Sequence, residues 1–114
     1  MIDGISITQA GRIGLSKFFI MTQDIQRVMR ANLYWDSKNQ TIAIDFTRHD
    51  DPASFPIIFT QKYGAFINAN RFFRANNLDP STYKGRYSYS RQDSEAIGIP
   101  GATSRVFIVS LRTE

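Results

Sequence analysis

Apolar residues alternate with polar or small ones at Ile5, Ile7, Ile13 and Leu15, and this period of two predicts a pair of half-buried strands. Between them, Gln9-Ala10-Gly11 supplies the glycine that a short hairpin needs at positive φ. After Leu15 the spacing changes. Ser16 is a good N-cap residue, and Lys17-Phe18-Phe19-Ile20 starts a helical pattern of about two to three turns that stops before Asp24. Leu33 to Trp35 and Thr41 to Phe46 are strand-like again, joined by the polar turn Asp36-Ser37-Lys38-Asn39-Gln40. The predicted order is strand, strand, helix, strand, strand.

That order then recurs. Ile57-Ile58-Phe59-Thr60-Gln61, Gly64 and Ile67 repeat the first hairpin, and Asn70 stands as a second N-cap before Arg71-Phe72-Phe73, with Asp79-Pro80 closing the helix. Arg86 to Tyr89 and Val106 to Leu111 supply the last two strands, parted by a polar loop from about Ser90 to Ser104. Ile13 aligns with Ile67, Leu15 with Ala69, Lys17 with Arg71, Phe18 and Phe19 with Phe72 and Phe73, and Tyr34 with Tyr87. Thr8-Gln9 aligns with Thr60-Gln61 once the second copy is given two extra residues at its first turn. Residues 47–56, charged and closed by Pro56, read as a surface linker too short to separate two domains. A unit of about 45 residues has too little core to stand alone, so repeats 5–46 and 57–111 are expected to bury their apolar faces against each other. The expected fold is one domain over residues 1–114, mainly β with two short helices, built as a pseudo-twofold barrel of duplicated ββαββ units.

The run Gly11-Arg12-Ile13-Gly14-Leu15-Ser16-Lys17, followed by a short helix and a strand hairpin, resembles the N-terminal domain of AbrB-type (SpoVT-AbrB-like) transition-state regulators and related antitoxins. Their pattern is glycine, basic residue, Ile, small residue, aliphatic residue, Pro, then a short helix and two more strands. The resemblance implies a swapped-hairpin barrel, or the related double-psi barrel, in which two such units interlock and bind DNA; a chain holding both units would equal one family dimer. Ser16 stands at the usual Pro, Ile20-Met21 stand where a basic residue is common, and Arg27-Val28-Met29-Arg30 replaces a Gly-Asp pair. In the second copy Ala65 holds the aligned glycine position, with Gly64 beside it.

Composition narrows the setting. Of 114 residues, 42% are hydrophobic, including nine Phe, five Tyr and one Trp, which supports a packed interior and excludes the low-aromatic signature of disorder. With no cysteine there is neither a disulfide framework nor a thiolate metal site, as suits a reducing compartment. Met1 to Ala10 lacks a basic stretch followed by an apolar one, and no apolar run nears the roughly 18 residues of a membrane span. A cytoplasmic protein with no membrane partner is expected. Six basic and six acidic residues cancel over Met1 to Ser54, whereas eight basic and four acidic residues leave Phe55 to Glu114 with the whole net charge of +4. A basic half favours a polyanionic partner, because phosphate contacts release counterions.

The candidate contacts to double-stranded DNA are Arg12 on the first hairpin, Lys17 and Arg71 just after the two N-caps, Arg74 one turn on, and Arg86. A symmetric pair, Lys17 with Arg71, would suit a symmetric backbone. In Arg86-Tyr87-Ser88-Tyr89-Ser90-Arg91 the arginines are expected outside and the tyrosines in the core, since strand side chains alternate. His49 with Asp50 and Asp51 is the one cluster of metal-capable residues, and it reads as linker, because no second histidine or cysteine completes a shell. That lone histidine also gives a triad no support, and Gly98-Ile99-Pro100-Gly101 lacks the Lys-Ser/Thr of a phosphate loop. No catalytic residue, metal or cofactor is expected. The leading reading is a small DNA-binding regulator or antitoxin-like protein, and the alternative is a protein interaction module using the barrel and the Ser90 to Ser104 loop. As a pseudo-dimer the chain is expected as a monomer or as a higher homo-oligomer.

Overall fold

The computed structural model describes residues 4–26, 29–47, 52–60, 64–92 and 106–111. The chain opens with strands β1 (Ile5–Ile7) and β2 (Arg12–Leu15), helix α1 (Lys17–Thr22), and strands β3 (Arg30–Asp36) and β4 (Thr41–Thr47). It continues with β5 (Phe55–Thr60), β6 (Gly64–Asn68), α2 (Asn70–Ala75), α3 (Pro80–Tyr83), β7 (Gly85–Tyr87), β8 (Ser90–Gln92) and β9 (Val106–Ser110). The strands form one nine-stranded antiparallel sheet in the order β7-β1-β2-β6-β5-β3-β4-β9-β8. Its two edge strands, β7 and β8, are separated in sequence only by Ser88 and Tyr89. Three residue steps span at most roughly 10 Å, so the sheet must curl until its edges approach. The protein is therefore mainly β, a curled antiparallel half-barrel with three short helices.

The alternation read from the sequence places the core. Ile5, Ile7, Ile13 and Leu15 are buried, as are Ile57, Ala65 and Ile67, while Arg12, Asn68, Pro56 and Ile58 between them are exposed. Phe19 is 0% exposed; its ring lies 4.8 Å from Tyr89, 5.1 Å from Phe107 and 6.0 Å from Phe46. Phe19 thereby packs α1 against β4, β9 and Tyr89, which lies between the two edge strands. Phe72 and Phe73 are buried in the same way, whereas Phe18 is 53% exposed, so each Phe-Phe pair contributes to the core.

The two hairpin glycines seat the two helices. Gly11 has φ 84°, and a Cβ there would lie 2.0 Å from Oδ1 of Asn70, at the start of α2. Gly64 has φ 104°, and its Cβ would lie 2.3 Å from the Leu15 carbonyl oxygen and 2.9 Å from the Lys17 nitrogen, at the start of α1. Both sites require a residue with no side chain, for conformation and for space.

Several expectations change. Among the described residues there are three helices rather than two, and α1 and α2 have six residues each, shorter than expected. Asp79-Pro80 does not merely end α2; the Asp79 carboxylate accepts from the Ser81 nitrogen, and Pro80 occupies the first turn of α3, where its missing N–H costs nothing. Ser16 caps α1 as expected, accepting from the Phe19 nitrogen, but Asn70 does not cap α2. Asn70 is the first helical residue, and its side-chain amide donates to the Ala10 carbonyl instead. The strand expected over Arg86–Tyr89 ends at Tyr87 as β7, and the expected loop opens with a further strand, β8, on the opposite edge of the sheet. Strand β5 begins at Phe55, inside the expected linker, with Pro56 at an exposed second position.

Ile7 pairs with Ile13 in the first hairpin and Ile57 with Ile67 in the second, whose connection is four residues longer. Ile5 pairs with Tyr87, and Phe55 with Ala31. The His49-Asp50-Asp51 cluster, Gln61, the Gly98-to-Gly101 turn and most of the Ser90 to Ser104 loop lie outside the described residues.

Candidate nucleic-acid interface

The register of β2 against β6 fixes where the basic residues lie. Arg12 pairs with Asn68 and Leu15 with Ala65, so the two strands run in opposite directions. Helix α1 follows Leu15 and α2 follows Asn68; the helices therefore start at opposite ends of the strand pair, about 10 Å or more apart. Lys17 and Arg71 are thus separated, and they are not matching positions either, because Lys17 is the first residue of α1 and Arg71 the second of α2. The expected symmetric pair does not form.

A different cluster forms at the end where α2 begins. The Ala69 nitrogen donates to the Gly11 carbonyl at 2.9 Å and Asn70 Nδ2 to the Ala10 carbonyl at 2.7 Å, which binds the start of α2 to the turn preceding Arg12. Arg71 lies over the Phe55 ring, 4.4 Å from its centroid, and Arg12 over the Phe66 ring at 4.5 Å. A guanidinium flat on a ring is held in place while its N–H edges stay available to an anion. Arg74, in the last turn of α2, is exposed. Arg12 and Arg71 therefore lie at the same end of the strand pair, with Arg74 one helical turn beyond Arg71.

Arg86 flanks them. It pairs with Ser6 on β1, one strand from β2, and shares the outward face with Arg12 at about 12 Å between Cα atoms. Between them the face is low, with Ser6 opposite Gly14, where a Cβ would lie 2.4 Å from the Ser6 hydroxyl. Strands β7, β1, β2, β6 and β5 carry no Asp or Glu. No family model, curated protein or solved structure matches this chain.

Sequence reasoning missed Arg30, which pairs with Pro56 just as Arg86 pairs with Ser6. The apolar pattern did not mark it: β3 begins three residues before Leu33, and Arg30 opens it. Its guanidinium is occupied, donating from Nε to the Ser54 hydroxyl at 2.6 Å and from Nη2 to the Ser54 carbonyl at 3.2 Å. Of Arg86, Tyr87, Tyr89 and Arg91, the arginines are exposed and the tyrosines half-buried, although the segment is not one alternating strand.

A cleft of about 690 Å³ on the outer side of β3, β4, β9 and β8 is lined by Tyr34, Asp36, Asn39, Ser90 and Ser110, among others, and none of its described lining residues is basic. Asp36 there is held below the usual carboxylate range, chiefly by the Asn39 side-chain amide. Burial raises the Tyr87 hydroxyl, whose proton is donated to the Tyr83 carbonyl. Neither group belongs to the arginine cluster. Among the described residues no group of three His, Asp or Glu side chains is placed to hold a metal, and no helix is long and apolar enough to cross a membrane.

Proposed function

We propose that this protein is a non-enzymatic nucleic-acid-binding protein that holds the phosphate backbone, of duplex DNA first, on the end of the half-barrel where α2 begins. The observation that carries the reading is Arg12 and Arg71 at that end, each over an aromatic ring, with Arg74 one turn beyond Arg71 and no carboxylate on strands β7, β1, β2, β6 and β5. Stacked arginines supply fixed positive charge and a fork of donors, which suits phosphate.

The finer architecture belongs to the same proposal. The chain is a tandem duplication, related to the AbrB-type swapped-hairpin barrels, with the second copy's third strand split into β7 and β8. Exchanging β1 with β5, β2 with β6, β3 with β7/β8 and β4 with β9 turns the strand order into itself. The first hairpin, β1–β2, pairs only with β7 and β6 of the other half, as a swapped hairpin must. The exchange axis runs through the Ile13–Ile67 pair.

Fluorescence anisotropy with a mixed-sequence duplex tests the function. Three phosphate contacts give a log-log salt slope near −2.7, so affinity should fall roughly forty-fold between about 50 and 200 mM salt. Absent binding, or binding indifferent to salt, contradicts the proposal.

A further inference from the structure

Helices α1 and α2 end in the same geometry. Asp24 and Asn77 have φ 54° and 56°, and the next residue donates back into the helix, Ile25 to the Ile20 carbonyl at 3.0 Å and Leu78 to the Phe73 carbonyl at 2.8 Å. This matches the helices residue for residue: Lys17 with Asn70, Phe18 with Arg71, Phe19 with Phe72, Met21 with Arg74, and Asp24 with Asn77. The outward positions have opposite chemistry. Where α2 presents Arg71 and Arg74, α1 presents Phe18 at 53% and Met21 at 80% exposure. Because arginines serve at the matching places, the fold does not need apolar side chains there, and their exposure calls for a partner surface.

The charges around the patch select the partner. Lys17 opens α1, Asp24 follows its end, both are exposed, and the matching residues on α2, Asn70 and Asn77, are neutral. If two α1 helices cross antiparallel about a twofold axis near Met21, Phe18 and Met21 meet their counterparts, and each Lys17 faces the other chain's Asp24. An isologous contact requires that self-complementarity. We infer that the α1 face is a homodimerisation surface, occupied by a second copy of this chain. Two exposed side chains bury far less than the roughly 800 Å² per partner of a stable interface, so the dimer is weak, with a dissociation constant of about 0.1–1 mM.

Sedimentation of the full chain from about 0.02 to 2 mM tests this. The native chain should pass from monomer to dimer, and F18R/M21R, which installs the residues α2 already carries, should stay monomeric while keeping its fold by circular dichroism. K17D and D24K should each weaken association, and K17D/D24K together should restore it. Because the chain has no cysteine, M21C gives an unambiguous cross-link: air oxidation should join two chains through Cys at 21 much faster than through R74C. A monomer throughout, or M21C linking no faster than R74C, overturns the inference and leaves the patch to a different protein.

Discussion

Replacing Phe19 with alanine is expected to cost on the order of 3–5 kcal/mol, a large part of the total stability of a domain this size. The side chain is fully buried and its ring meets Tyr89, Phe107 and Phe46 within 6.0 Å, edge-on or tilted in each case. Truncation loses the transfer energy of the ring, about 0.5–1.5 kcal/mol for each aromatic pairing, and leaves a cavity walled by β4 and β9, whose strands cannot close in without breaking register. Phe18, its neighbour on the exposed side, should change stability by less than about 0.5 kcal/mol on the same substitution. Urea titration of the two variants reads the contrast, and a Phe19→Ala loss below about 1 kcal/mol would mean that α1 does not pack against β4 and β9.

The second large effect concerns binding. Changing Arg12, Arg71 and Arg74 together to Glu should lower duplex affinity by several hundred-fold at about 0.1 M salt, since each phosphate contact there contributes roughly eight-fold through counterion release. The salt slope should lose close to one for each arginine removed. Lys17→Glu, at the other end of the strand pair, should change affinity less than about three-fold. Anisotropy titrations of the two variants at matched salt give both numbers. Equal losses in the two would mean that charge acts without regard to place.

Much of the fold was legible because strand alternation depends on burial alone. Ile5, Ile7, Ile13 and Leu15 face inward for the reason that makes them alternate, and Ser16 caps α1 through the hydroxyl that marks it as a cap. What was not legible depends on contacts distant in sequence. Asn70 has the chemistry of a cap, yet the approach of the first hairpin turn offers its amide the Ala10 carbonyl, and that contact prevails. Residues 86 to 89 read as one strand followed by a loop, but joining the two edges of a curled sheet ends that strand at Tyr87 and starts another at Ser90.

The candidate site divides on the same line. Arg12, Arg71, Arg74 and Arg86 could be chosen from type and spacing, whereas pairing Lys17 with Arg71 needed a register that sequence similarity misplaced by one residue in the helix. The stacking of Arg71 on Phe55 had no sequence signal, since 16 positions separate the two residues. Arg30 stayed hidden because β3 starts earlier than its apolar core suggests.

Amide chemical-shift mapping of the isotope-labelled protein with a short mixed-sequence duplex tests the central claim most directly. Shifts should concentrate at Gly11, Arg12 and Asn68 through Arg74, extend to Arg86, and vanish as salt is raised, leaving Lys17 through Thr22 unmoved. Shifts centred on Lys17 through Thr22, or on the cleft beside Tyr34 and Asp36, would contradict it, as would a spectrum that DNA does not change.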